Sequence, residues 1–268
     1  MLYTLIAQEV ERREKLSSEE ISSLIYHDIF DYPLTFSELI KWKAGVKISL
    51  NHKPLAISHK SGYYFLSERE GLVYKKLLRQ RISERKLQIA KKAAKILSLI
   101  PTVKMIGLTG ALAMQNADEG SDIDLVIITQ KGTLWTSRLI TLIVLIILRI
   151  PIRKFGDKNQ KDKLCLNMWM DESNLTWGRY DRNLYTAHEI AQIVPLLNKD
   201  KTYEKFVWEN RWVREWWPNA VRIYDLGFRI KDKNKIHKSY ILNLISICFE
   251  KMAFWFQYQY MKSKMTRE

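Results

Sequence analysis

The stretch from Gly107 to Thr129, GLTGALAMQNADEGSDIDLVIIT, limits the fold of this chain more than any other part of it. Its last eight residues, DIDLVIIT, are rich in β-branched residues and read as a strand. Side chains alternate along a strand, so Asp122 and Asp124 project from one face, roughly 6–7 Å apart at their Cα atoms, while Ile123, Leu125 and Ile127 point into a core. Upstream, TVKMIGL reads as a second strand and GALAMQNA as a short helix entered through glycine. Downstream, TLWTSRLITLIVLIILRI predicts a buried helix and KLCLNMWM a third strand. The expected fold class is α+β, a mixed sheet with flanking helices.

Two like charges at the mouth of a buried strand repel, and desolvation makes the repulsion worse. A divalent cation relieves both costs. Mg²⁺ (or Mn²⁺) suits carboxylate oxygens, keeps waters, and takes phosphate oxygens as further ligands. Two such ions can clamp the entering and leaving oxygens of a phosphoryl displacement. The glycines fit that chemistry. Gly107 and Gly110 are expected to flank the turn from strand to helix. Gly110 would let the backbone approach a phosphate, with N–H groups at the helix start to receive it and the Thr109 hydroxyl beside them. Taken singly, a Gly-x-x-Gly or an Asp-x-Asp is weak, since the latter also fits a strand end exposed to water.

Together, GLTGALAM, a six-residue gap and SDIDLVII resemble the signature of the DNA-polymerase-β-like nucleotidyltransferase superfamily. The resemblance is specific over residues 102–130. It implies transfer of a nucleoside monophosphate from a nucleoside triphosphate to a hydroxyl, with pyrophosphate leaving. Asp122 and Asp124 would be the metal ligands, and Gly107, Thr109, Gly110, Ala111, Ser121 and Arg138 the candidate nucleotide-binding residues. Two departures stand out. Ala111 occupies a position where the family carries serine or glycine, leaving Thr109 or Ser121 to supply the hydroxyl. The family's third carboxylate belongs on KLCLNMWMDE, where strict alternation puts Cys165, Asn167 and Asp171 on one face. Asn167 is the best positional match and completes the catalytic set with Asp122 and Asp124, although an amide cannot act as a base. Asp171 or Asp162 could supply the missing carboxylate. These departures keep a second reading open, a degenerate, non-catalytic nucleotidyltransferase fold acting as a nucleic-acid-binding or regulatory module.

Four regions surround this motif. Residues 1–68 predict a winged-helix-like module: a helix capped by Ser17 or Ser18, a break at Pro33, a second helix capped by Thr35 and stopped by Gly45, then strands turning at Lys60-Ser61-Gly62. Residues 69–100 predict one long connecting helix. Its apolar stripe is Ile82, Ile89 and Ile96, with Leu78, Ala93 and Leu97 beside it, and its nine lysines and arginines from Lys75 to Lys95 are expected on a solvated face or along a nucleic-acid backbone. Residues 101–175 are the expected nucleotidyltransferase core. Residues 176–268 are expected to be helical, with 183–198 as one helix and Trp208, Trp212, Trp216 and Trp217 in a core.

The 44 Lys+Arg against 29 Asp+Glu, a formal charge of +15, favours RNA or DNA as a partner beside the nucleoside triphosphate, though a plain basic surface accounts for it equally well. Cys165 and Cys248 form no CxxC or zinc pattern, so a reducing cytoplasm is the expected location, and no secretory signal is expected. Only ten residues separate Arg138 from Arg149, too few to span a bilayer, so no integral membrane segment is expected, and surface attachment through residues 139–150 is a third class of function. His188 is expected to be structural, and His27, His52, His59 and His237 suggest no zinc cluster.

Overall fold

The computed structural model describes residues 16–48, 56–221 and 240–265, with no side chain described for Asn167, for 240–246 or for 263–265. His52, His237 and residues 49–55 of the stretch expected to be strand-like lie outside these residues. The chain is a mixed α+β protein. It divides into two units: residues 1–80 with 182–191 and 212–222, and residues 81–181 with 192–211 and 223–268.

In the first unit, α1 (Ser18–Asp28) opens with a capping box, in which the Ser17 hydroxyl accepts from Glu20 N–H and the Glu20 carboxylate accepts from Ser17 N–H. Thr35 and Glu38 repeat the device at α2 (Phe36–Lys41), which ends before Gly45. The short β1 (Leu34–Thr35) and the hairpin β2 (Ile57–Lys60) and β3 (Tyr63–Leu66) form an antiparallel sheet in the order β1-β3-β2. Ser61 and Gly62 turn the hairpin with φ of 54° and 82°, the paired left-handed conformation of a two-residue loop. Residues 182–191, which include α6 (Leu184–Ala191), and 212–222 complete this unit. Its aromatic centre is Tyr26, Trp42 and Trp217, with two buried histidines among them. His27 Nδ1 donates to Ser23 O at 2.8 Å, which leaves its Nε2 as the acceptor for His188 Nε2 at 3.2 Å.

The long helix α3 (Gly71–Leu97) contributes its first part to this unit and the rest to the second. Its buried stripe lies one position away from the expected one. Ser83, Lys86, Ala90, Ala93, Ala94 and Leu97 are buried, whereas Ile82, Ile89 and Ile96 are only half-buried and Leu78 is exposed. The expectation of a uniformly solvated basic face also fails at two positions. Lys76 and Lys86 have no exposed side-chain surface. Lys76 is bonded to Glu38 and Pro33 O and lies over the Tyr32 ring.

The second unit is built on a four-stranded sheet in the order β6-β5-β4-β7, from β4 (Val103–Leu108), β5 (Ile123–Thr129), β6 (Leu164–Asp171) and β7 (Val194–Asn198). β4 is antiparallel to both neighbours, and β5 runs parallel to β6. The sequence predicts one helix over 183–198, but α6 stops at Ala191 and residues 194–198 become a strand. The reason is tertiary, since β4 offers an open row of backbone groups, and an edge strand tolerates Pro195. Helix α5 (Leu134–Ile147) is not buried as expected. Ser137, Thr141 and Leu145 form its buried stripe, while Ile143, Ile146 and Ile147 are exposed. It packs beside α7 (Tyr240–Met265), whose Glu250 carboxylate accepts from Trp135 and Thr136 N–H at the first turn of α5. Among the described residues no helix is long and apolar enough to cross a membrane.

Candidate functional site

The two aspartates meet at the N-terminal end of β5. One donor atom from each of Asp122, Asp124 and Cys165 lies within 4.8 Å of the others. Asp124 is set by the strand, and its neighbour across the sheet is Cys165, directly beside it on β6. The four-residue helix α4 (Gly110–Ala113) starts against it. Gly110 has φ of 62°, and a Cβ at this residue would sit 2.5 Å from Asp124 Oδ2, so only glycine leaves room for the carboxylate. Burial and the neighbouring Asp122 charge raise the Asp124 pKa above the usual carboxylate range. Burial, helped by the Asp124 charge, pushes the Cys165 thiol up to about 12.

A cation does offset the paired charges, but it comes from the chain. Arg153 Nη1 donates to Asp122 Oδ2 at 2.7 Å and to Cys165 Sγ at 3.7 Å. Asp122 is 11 % exposed and Arg153 38 %. Sequence alone does not single out Arg153, which lies 31 positions from Asp122 on the segment that returns from α5 to the start of β6. The signal in hindsight is Arg-Lys just after Pro151, where a helix that begins at the far end of β5 must come back to this end.

Lys86 was also missed as a site element. From α3 its ammonium donates to Ser121 O at 2.8 Å, to Glu119 O at 3.2 Å and to Asp162 Oδ1 at 2.7 Å. Ser83 Oγ accepts from Ala117 N–H at 3.1 Å. Together they tie the loop that delivers Asp122 to the helix.

The other sequence candidates fall in several places. Gly107 is inside β4 and not at the turn, and a Cβ there would meet Ile193 at 2.7 Å and Val126 at 2.8 Å, so its smallness serves packing. Thr109 is buried, makes no capping bond through its side chain, and donates its N–H to Asp124 O. Ala111 is exposed on α4. The Ser121 hydroxyl is turned back into its own loop, donating to Asp118 Oδ1 at 2.8 Å. Arg138 lies at the other end of β5, half-buried over Trp135 and against Met261.

The face assignment on β6 is corrected by its register. Asp124 pairs with Cys165, but Val126 pairs with Met168, so Leu166 and Asn167 together oppose Leu125. This bulge reverses the alternation. Met168 and Met170 follow Cys165 on the aspartate side, and Asp171 pairs with Thr129 on the opposite side. Asp171 is moreover at the far end of the strand, accepting from Gly132 N–H at 2.6 Å. Asp162 is nearer but is held by Lys86. The Asn167 side chain lies outside the described residues.

The three donors could hold a metal ion. Two carboxylates suit a hard divalent cation such as Mg²⁺ or Mn²⁺, whereas a thiol is a poor ligand for either. No family model, curated protein or solved structure matches this chain.

Proposed function

We propose that this chain is a divalent-metal-dependent nucleotidyltransferase, moving a nucleoside monophosphate from a nucleoside triphosphate to a hydroxyl of RNA, protein or a small molecule. The observation that carries the reading is the convergence of Asp122, Asp124 and the bare α-carbon of Gly110 at one strand end. Bound Mg²⁺ or Mn²⁺ would supply positive charge to the triphosphate and to the departing pyrophosphate. Asp122 and Asp124 would hold it, Gly110 would let the triphosphate approach the backbone, and Lys86 would keep the Asp122 loop in place. In this reading the helix–strand–helix–hairpin order of residues 18–66 is a winged-helix-like module, and the charge of +15 favours RNA as the acceptor.

The test is incubation of the full chain with α-labelled nucleoside triphosphates, Mg²⁺ or Mn²⁺ and total RNA. Label should enter the RNA or the protein, and Asp122→Ala should abolish it while leaving the melting temperature near that of wild type. Transfer that survives Asp122→Ala refutes the reading.

One observation favours a second reading, a non-catalytic binder. Cys165 takes the place beside Asp124, and neither Asp162 nor Asp171 is aimed at the pair. Absence of label with every nucleotide and both metals, together with metal-dependent nucleotide binding, would establish it.

A further inference from the structure

The Arg153 side chain occupies the place where a cation must sit. Its Nη1 donates to one oxygen of Asp122 and approaches Cys165 Sγ, two of the three donors that could share a metal. Among the described residues Asp122 and Cys165 are its side-chain partners. Its backbone, by contrast, is fixed: Arg153 N–H donates to Leu164 O and Leu164 N–H to Pro151 O, each at 2.9 Å, beside the Ile152–Leu164 bridge to β6. A long, 38 %-exposed side chain on an anchored backbone can leave the site without any rearrangement of the sheet.

We propose that Arg153 is a built-in counter-ion that competes with the divalent cation for Asp122 and thereby sets the metal affinity of the site. The inference rests on the reading of Asp122 and Asp124 as metal ligands. With the guanidinium in place, the like charges of Asp122 and Asp124 are partly neutralised and the apo site holds its shape. With an ion bound, the same oxygen of Asp122 serves the ion, and Arg153 turns outward as a free cation at the rim of the site. There it is available to an anionic ligand, so an anion that captures Arg153 and a metal that captures Asp122 assist each other.

The experiment is Mn²⁺ titration of the full chain at low ionic strength, followed through the electron paramagnetic resonance signal of free Mn²⁺, with wild type, Arg153→Gln and Asp122→Asn. Removal of the competing guanidinium should tighten Mn²⁺ binding about fivefold, the worth of a half-exposed ion pair. Without metal, Arg153→Gln should melt below wild type, because the carboxylates are left facing each other, and saturating Mn²⁺ should close that gap. Equal or weaker Mn²⁺ binding by Arg153→Gln overturns the counter-ion role while leaving the metal site standing. Binding that persists unchanged in Asp122→Asn, or is missing from both wild type and Arg153→Gln, overturns the metal site as well.

Discussion

Replacing Lys86 with methionine tests whether the site is held from the long helix. The substitution keeps the aliphatic stem and removes the ammonium from a side chain with no exposed surface. Three acceptors lose their donor: Ser121 O, Glu119 O and Asp162 Oδ1. Breaking a fully buried ion pair by removing one partner costs about 3–5 kcal/mol. Asp162 is 29 % exposed and Arg85 stays 3.6 Å away, so water and a second cation recover part of that loss. A net cost of about 2–3 kcal/mol follows. In a cooperative body of this size each kcal/mol lowers the melting temperature by about 2–4 °C, so Lys86→Met should melt roughly 5–10 °C below wild type. The loop that presents Asp122 loosens with it, so Mn²⁺ binding should weaken in parallel. Adding Asp162→Asn removes the stranded charge, and the double variant should lose less than the two single losses summed. Calorimetric melts and Mn²⁺ titration read both effects. A Lys86→Met protein that melts like wild type and binds Mn²⁺ equally well would show that Lys86 is an ordinary surface lysine, and the supporting role assigned to it would be wrong.

Three further perturbations have definite signs. Burial lowers His27 from 6.5 to about 4 and lowers His188 as well, so the unfolded chain takes up protons that the native pair refuses; the stability is whole above about pH 6.5 and falls as pH drops toward 4, by about 2 kcal/mol at pH 5 from His27 alone. Urea melts of wild type and His27→Asn between neutral pH and about pH 5 check this, and an equal pH slope in the two refutes it. Burial and the Asp122 charge raise the Asp124 pKa, so ionisation of Asp124 costs stability as pH rises through that value, and Asp124→Asn should melt above wild type at neutral pH without metal while losing Mn²⁺ binding. Gly110→Ala should cost about 1–2 kcal/mol for its left-handed backbone and should weaken Mn²⁺ binding too, since the new Cβ would lie 2.5 Å from Asp124 Oδ2; a melt and a titration unchanged from wild type would refute the close approach.

Much of the scaffold is legible in the sequence because it follows local rules. The capping boxes at Ser17 and Thr35, the turn at Ser61-Gly62, the length of α3 and the strand after Asp122 each need only a few neighbouring residues. What the sequence hides depends on partners distant in the chain. β7 exists because β4 has an open edge. The stripe of α3 turns by one residue because Lys86 and Ser83 reach the loop before Asp122, and a periodicity rule assigns every lysine to water. Arg153 comes to Asp122 only through the path of α5 and its return. The third position of the site fails for a different reason. Two-residue alternation over KLCLNMWMDE is sound until one extra residue enters, and the bulge at Leu166 and Asn167 then moves Asp171 to the other face and leaves Cys165 beside Asp124.

These exceptions share a location. The bulge in β6, the left-handed Gly110, the buried ammonium of Lys86, the strained φ of 59° at Asp162 and the raised pKa of Asp124 all gather around the start of β5. Each costs stability on its own, and none is needed to close the sheet, whose core is the ordinary apolar set of Ile106, Leu108, Leu125 and Ile127. A chain that only had to fold could exchange Asp124 for an apolar residue, and the Lys86–Asp162 pair together for apolar partners, with little loss or even gain. Stability-costing features scattered over a molecule would be noise. Five of them around one pair of carboxylates, with a guanidinium on one of the two, are the arrangement that the proposed metal site requires, a fold giving up stability to keep negative charge in place.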